Sequence, residues 1–356
     1  MKLGLPLAVV FVLGSVAAKE ARADCPPASP GNASDRKSGP LSSLDAFVRD
    51  LKARIPGRGS GAFIAPSSDE VTQFGGAIGT LMAGDVDGAR ALLDPLNYDL
   101  FTLDDPSGHS YLVAQERSTG FRGQGTYVVD LQYLRNVAIE VPHPLWDCRT
   151  PEEGVAVFQA LGARALFIAG THRCANPGDE SGCSGTTNSC GGGTIPVRIS
   201  DAPHFTGNFM FAAHGATLLL APPALAINLH GNGGEPFAIE ISDGTRVFQD
   251  ETPLINQLRN ALLARGADVG SCNFRDDHLT SSNLCGTTNA QGRLSNGSTA
   301  PCTTSPSTPS GLFLHIEQHQ YVRDDPSVLI DALQAVISPG DSRNQAIPGR
   351  SRSPRH

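Results

Sequence analysis

Four runs in this sequence, "NVAIEV", "RALFIAG", "ALAINL" and "GLFLHI", are β-prone and apolar almost throughout, rather than on every second residue. An alternating strand has one wet face; a strand without alternation needs cover on both. Between and after these runs lie stretches with helical spacing: "TPEEGVAVFQALGA", "GNFMFAAHGATLLL", "TPLINQLRNALLARG" and "DPSVLIDALQAVI". The expected class is therefore α/β, a mixed, mostly parallel sheet with helices on both faces. Ahead of it, "SSDEVTQFGGAIGTLMAGDVDGARALLDPLNY" predicts a small helical hairpin, capped at Ser67 or Ser68 with Glu70 in the first turn and broken at "GDVDG". A β-meander follows in "YDLFTLDD", "SYLVAQE" and "GTYVVDL". Thr150 and Thr252 are the expected caps of the helices that follow them.

The opening, "MKLGLPLAVVFVLGSVAAKEARADC", has the form of a secretory signal: Lys2, an apolar stretch from Leu3 to Val16, and small residues at Ala21-Arg22-Ala23. The chain divides into a signal peptide (1–23), a linker or flexible arm (24–60) with a brief helix in "LDAFVRDLKARI", a single α/β domain (61–340) whose residues 61–125 form an N-terminal subdomain, and a disordered tail (341–356). No later segment is long enough to span a bilayer, so no stable membrane insertion is expected after signal cleavage. All eight cysteines follow the signal and none forms a C-x-x-C pair. At least three disulfides and a secreted or periplasmic location are expected. Cleavage removes a net +2 and takes the formal charge from −8 to −10, with no basic stripe, so nucleic-acid binding is not expected.

In open α/β sheets ligands bind beyond the carboxyl ends of the strands. There the sequence places residues of ligand type. "NVAIEV" is followed by His143 and Asp147, "RALFIAG" by His172 and Arg173, and "ALAINL" by His230 and Asn232; "GLFLHI" runs into Glu317. An open catalytic zinc site takes three nitrogen or carboxylate ligands and one water. His143, Asp147 and His230 are the expected metal ligands and zinc the expected cofactor. Glu317 is the expected general base and acid. Arg173, through its planar fork, is expected to hold a substrate carboxylate, with His172 and Asn232 beside it. The glycines of "HGNGG" leave backbone space for that substrate. His204 and His214 read as supporting or core histidines, and Asp276, Asp277 and His278 as a solvated surface. His315 shares a side of its strand with Glu317, to orient it or to pack.

The order of these pieces, from about residue 130 to 325, resembles the superfamily of zinc carboxypeptidases, N-formylglutamate amidohydrolases and poly-γ-glutamate hydrolases. There, one strand ends in a His with a nearby carboxylate, a later strand ends in a His ("LHG" here), and a late strand carries a catalytic Glu in a setting like "HIEQHQYVR". The resemblance implies a metallopeptidase-like hydrolase, an amidohydrolase acting on a peptide-like or small carboxylate-bearing substrate. The motif here is His-x-x-x-Asp where the carboxypeptidase form is His-x-x-Glu, which leaves Glu140 as the alternative carboxylate. Two other readings stand beside it: a metal-dependent esterase or phosphoesterase, and a non-catalytic extracellular binding module on a degenerate hydrolase fold.

Overall fold

The structure, a computed structural model, describes residues 43–340 apart from Ser107, Glu235, 276–279 and 282–283. The signal segment, the start of the arm, the tail, and Asp276, Asp277 and His278 lie outside the described residues.

The arm contributes helix α1 (Ser43–Arg54). The hairpin follows as α2 (Ser68–Met82) and α3 (Val86–Leu93). Ser67 and Glu70 form the reciprocal cap at the start of α2. The meander is β1 (Tyr98–Asp104), β2 (Ser110–Glu116) and β3 (Thr126–Val129). Then come β4 (Arg135–Val141), α4 (Thr150–Leu161) and β5 (Ala163–Ile168). A two-stranded ribbon, β6 (Thr186–Thr187) and β7 (Ile195–Pro196), interrupts the long segment before α5 (Phe209–Leu218) and β8 (Leu225–Gly231). The rest is β9 (Ile239–Ser242), α6 (Leu254–Leu263), β10 (Val269–Ser271), α7 (Ala290–Ser295), β11 (Phe313–Gln318), α8 (Gln320–Asp324) and α9 (Ser327–Val336).

Nine strands form one sheet in the order β1-β2-β3-β5-β4-β8-β11-β9-β10. The meander joins through the antiparallel β3–β5 pair. The centre, β5-β4-β8-β11, is parallel, and β9 runs antiparallel to β11. From β4 the chain passes through α4 to β5 on one side, then through α5 to β8 on the other. The strand order thus reverses at the crevice between β4 and β8, where such sheets bind ligands.

The two faces are covered differently. On one, Val137, Ile139, Val141, Ile227, Leu229, Leu314 and Ile316 pack with α1, α4, α6 and α9 into a continuous core. On the other, α2, α3 and α5 cover the sheet around β1 to β5, with Phe74 stacked on Phe209 at 4.2 Å among Tyr98 and Tyr127, while α5 also reaches β8 and α7 packs on β11. Over β8, β11 and β9 this second face carries polar residues. Strand register aligns Glu140, Asn228, His315 and Ser242 in one row, and His230, Glu317 and Glu240 in the row above. The strands that read as continuously apolar are therefore two-sided only in their first halves.

Disulfides and loops roof the polar rows. Cys174–Cys190 and Cys183–Cys302 fasten the segment after β5, and Cys272–Cys285 fastens the one after β10. These account for the three bridges expected. No helix among the described residues is long and apolar enough to cross a membrane.

Three local expectations differ from what forms. The end of the arm packs onto the domain: Leu44 and Val48 are buried, and Lys52 meets Glu152 at 3.1 Å. Thr150 is the first helical residue of α4, not its cap; Arg149, at φ 77°, precedes it, and the Thr150 hydroxyl donates back to the Asp147 carbonyl at 2.7 Å. Thr252 stops short of α6, whose cap is Pro253, and donates to Asp250 instead.

Candidate metal centre

Just beyond β4 the chain makes one helical turn. The amides of Trp146 and Asp147 donate to the His143 carbonyl at 3.1 and 2.9 Å. This turn brings the side chains of residues four apart to one side. His143 Nδ1 lies 3.1 Å from Asp147 Oδ2, and His230 Nδ1, from the end of β8, lies 3.1 Å from His143 Nδ1 and 3.3 Å from Asp147 Oδ2. All three residues are buried. Three tetrahedral ligands, each about 2.0–2.1 Å from an ion, sit roughly 3.3–3.4 Å apart. The spacing fits a common cation, and the donor set of two imidazoles and a carboxylate suits a divalent transition metal.

The protonation pattern fits as well. His143 Nε2 lies 2.8 Å from Asp201 Oδ1. Burial would raise the Asp201 carboxyl, but Arg173, His204 and His143 together hold it well below the usual carboxylate range. An ionised Asp201 can only accept, so His143 Nε2 donates and Nδ1 turns its lone pair toward the trio. Burial also favours an uncharged Asp147, yet the imidazoles of His143 and His230 carry it below its ordinary range. His230 is pushed down to about 4, chiefly by burial, so it is neutral at neutral pH, as a ligand must be.

The trio lies on the floor of a cleft of about 930 Å³, bordered by Arg58, Trp146, Arg173, Asn188, Asn232, His315 and Glu317 among others. Glu317 enters from β11, directly across from His230 in register. His315, on the same face, places Nε2 3.7 Å from Glu317 Oε1, too far for a hydrogen bond. Asn232 is buried beside them, and neither polar atom of its amide has a hydrogen-bond partner among the described residues. Arg58, in the strap between α1 and α2, lies 5.1 Å over the Trp146 ring and donates to the Ser189 carbonyl at 3.1 Å. The strap is held by Gly59 and Gly61, whose amides donate to Cys174 and Ala175.

The structure thus brings His143, Asp147, His230, Asn232, Arg173 and Glu317 to one cleft. Arg173 has a second engagement: its Nη2 donates to Asp201 Oδ2 at 2.6 Å. His172 turns elsewhere. It is buried, accepts the Cys174 amide at Nδ1 (2.9 Å), and meets the Trp146 ring edge-on at 5.8 Å. Glu140 sits in the lower row, accepting from His214 Nδ1 and from Asn228, each at 2.8 Å, while His214 Nε2 meets Ser295 Oγ at 2.9 Å. His204 pairs with Thr288 at 3.1 Å. The space beside Gly231 is taken by protein: a Cβ there would meet the Arg323 guanidinium at 2.6 Å. Sequence reading missed Asp201 and Arg58. Both lie in segments without periodicity, and neither follows directly on an apolar run.

No family model matches the chain, and no curated protein matches it. Among solved structures, one named "Putative carboxypeptidase A", from Shewanella denitrificans OS-217, is similar to this chain at 11% identity with a TM-score of 0.33, over 69% of this chain and 67% of that one. The chain contains buried His, Asp and Glu groups that could hold a metal ion, set toward the carboxyl ends of the central parallel strands.

Proposed function

We propose that this protein is an exported, zinc-dependent hydrolase that cleaves an amide bond in a peptide-like or γ-glutamyl-like substrate bearing a carboxylate. The observation that carries the reading is the convergence of His143 Nδ1, Asp147 Oδ2 and His230 Nδ1 within 3.1–3.3 Å on the floor of the cleft, with Glu317 one strand away. When bound, zinc supplies Lewis acidity, polarising a carbonyl and making water acidic near neutral pH. The chain's own residues do the rest. Glu317 takes a proton from the attacking water and passes it to the leaving amine. Asp201 holds the His143 ring through Nε2. The orphaned amide of Asn232 offers both a donor and an acceptor to the substrate. Arg58 and Arg173 border the cleft with positive charge, and Arg173 Nε has no hydrogen-bond partner among the described residues, which suits a substrate carboxylate. His172 contributes by fixing Trp146, against which Arg58 lies. Three disulfides are consistent with an oxidising compartment.

The test is metal analysis of the purified protein, followed by a hydrolysis screen with amide, ester and phosphate substrates. The expected result is zinc in the protein and turnover of amides bearing a carboxylate. Zinc with ester or phosphate turnover alone would move the reading to an esterase or phosphoesterase. Neither metal nor turnover would leave a binding module.

A further inference from the structure

The first trio leaves part of its own machinery unused. His230 turns Nδ1 to His143 and Asp147, but its Nε2 is buried and has no hydrogen-bond partner among the described residues. His315, whose ring centroid lies 4.6 Å from that of His230, has an equally buried and partnerless Nδ1. A ligating histidine ordinarily donates its other N–H to a carboxylate, carbonyl or water, as His143 does to Asp201. His230 has no such acceptor among the described residues. Two neighbouring imidazoles, each with a buried nitrogen that has no hydrogen-bond partner among the described residues, call for one.

We propose that His315, Glu317 and Nε2 of His230 form a second divalent-cation site, joined to the first by the His230 imidazole. Ligand atoms of His230, His315 and Glu317 all lie within 4.8 Å of one another, as do those of His143, Asp147 and His230, and the two trios share only His230. One imidazole serves two ions only as the imidazolate, through both nitrogens: Nδ1 already faces the first trio, and binding of the second ion displaces the Nε2 proton to solvent. The sheet builds the second trio for the same reason it builds the polar rows: Glu317 lies opposite His230, and His315 two residues earlier projects from the same face. All three border the cleft, so an ion can reach them from solvent. Two imidazoles and one carboxylate select zinc, cobalt, nickel or copper over magnesium or calcium. An ion there engages the carboxylate that hydrolysis would use for proton transfer, so proton transfer by Glu317 belongs to the chain with only the first trio filled, and filling the second site at high zinc would inhibit it. The inference rests on the first trio holding a metal, as proposed above.

The experiment is equilibrium dialysis of the chelator-stripped, full-length mature protein against Zn²⁺ alone, with metal quantified per chain, for wild type and His315→Ala. A parallel Cu²⁺-loaded sample is read by electron paramagnetic resonance. The expected result is two zinc ions per wild-type chain, one per His315→Ala chain, and a spin-coupled copper pair in wild type that becomes a single uncoupled copper in the variant. One zinc per wild-type chain without spin coupling overturns the second site and leaves the hydrolytic reading standing. Two zinc ions in both proteins also overturn it, since the second ion then sits elsewhere. No zinc at all overturns both. Circular dichroism checks the variant's fold; should His315→Ala not fold, His315→Gln and the wild-type stoichiometry still decide.

Discussion

Two residues around the trio make separable predictions. Glu317→Gln keeps the shape and removes the charge, so the variant should fold and bind metal at the first trio. As a positioned acid–base group contributes roughly 10²–10⁴-fold, turnover should fall by that factor; undiminished turnover in the zinc-loaded variant would remove Glu317 from the chemistry. Asp201 is not one of the trio. It fixes the His143 ring, and its other oxygen accepts from Arg173. Loss of such a partner typically costs about 10–100-fold in metal affinity. Asp201→Asn should therefore weaken zinc by about that factor in a competitive chelator titration while leaving the fold intact, and unchanged affinity would make Asp201 merely structural. These residues also mark how far the sequence could be read. His143, Asp147 and His230 were legible because each follows an apolar run and ligands gather at strand ends. Asp201 was not, because it lies in the long segment between β5 and α5, where only the folded chain shows that it returns to His143.

At the scale of elements, periodicity predicted α2 to α6, α9 and the four central strands, and capping chemistry the start of α2 alone. The short pieces β6, β7, β10 and α7 have too few residues to establish a period, and disulfides and register position them instead. Helix α4 carries a consequence for pH. Glu153, one turn into it, is buried under the strand ends, and burial pushes its carboxyl up to about 8, only partly offset by Gln318 and Arg323. Between the ordinary carboxylate value and about 8, the folded chain holds a proton that the unfolded chain has released. Stability then falls as pH rises through that window. At roughly 1.4 kcal/mol per unit, the full effect is on the order of a few kcal/mol. Glu153→Gln should match wild type in denaturant midpoint near pH 4 and exceed it near pH 8. A gap between the two proteins that does not widen with pH would contradict the assignment.

At the scale of the whole molecule, the sheet supplies the floor of the cleft and the cross-linked segments supply its roof. Thr186, Thr187, Asn188, Ser189 and Thr194 border the cleft from the segment that Cys174–Cys190 and Cys183–Cys302 fasten. That segment also leads to Asp201, the support of His143. Cys183–Cys302 spans 119 residues and ties the roof to the chain entering β11, the strand of Glu317. A bridge closing so long a loop limits the unfolded chain strongly, and removing one native bridge typically costs about 2–5 kcal/mol. The double variant Cys183→Ser/Cys302→Ser should lose stability of that order in denaturant titrations. Its effect should not stop there. With the roof loosened, Asp201 holds His143 less firmly, so zinc affinity should fall as well, under conditions where circular dichroism still shows a folded sheet. Cys272→Ser/Cys285→Ser is the control: that bridge closes a local loop of separation 13 and does not fasten the segment leading to Asp201. It should lower stability with a smaller change in zinc affinity. Equal losses of zinc affinity in the two double variants would show that the bridges act on global stability alone and that the roof does not support the metal centre.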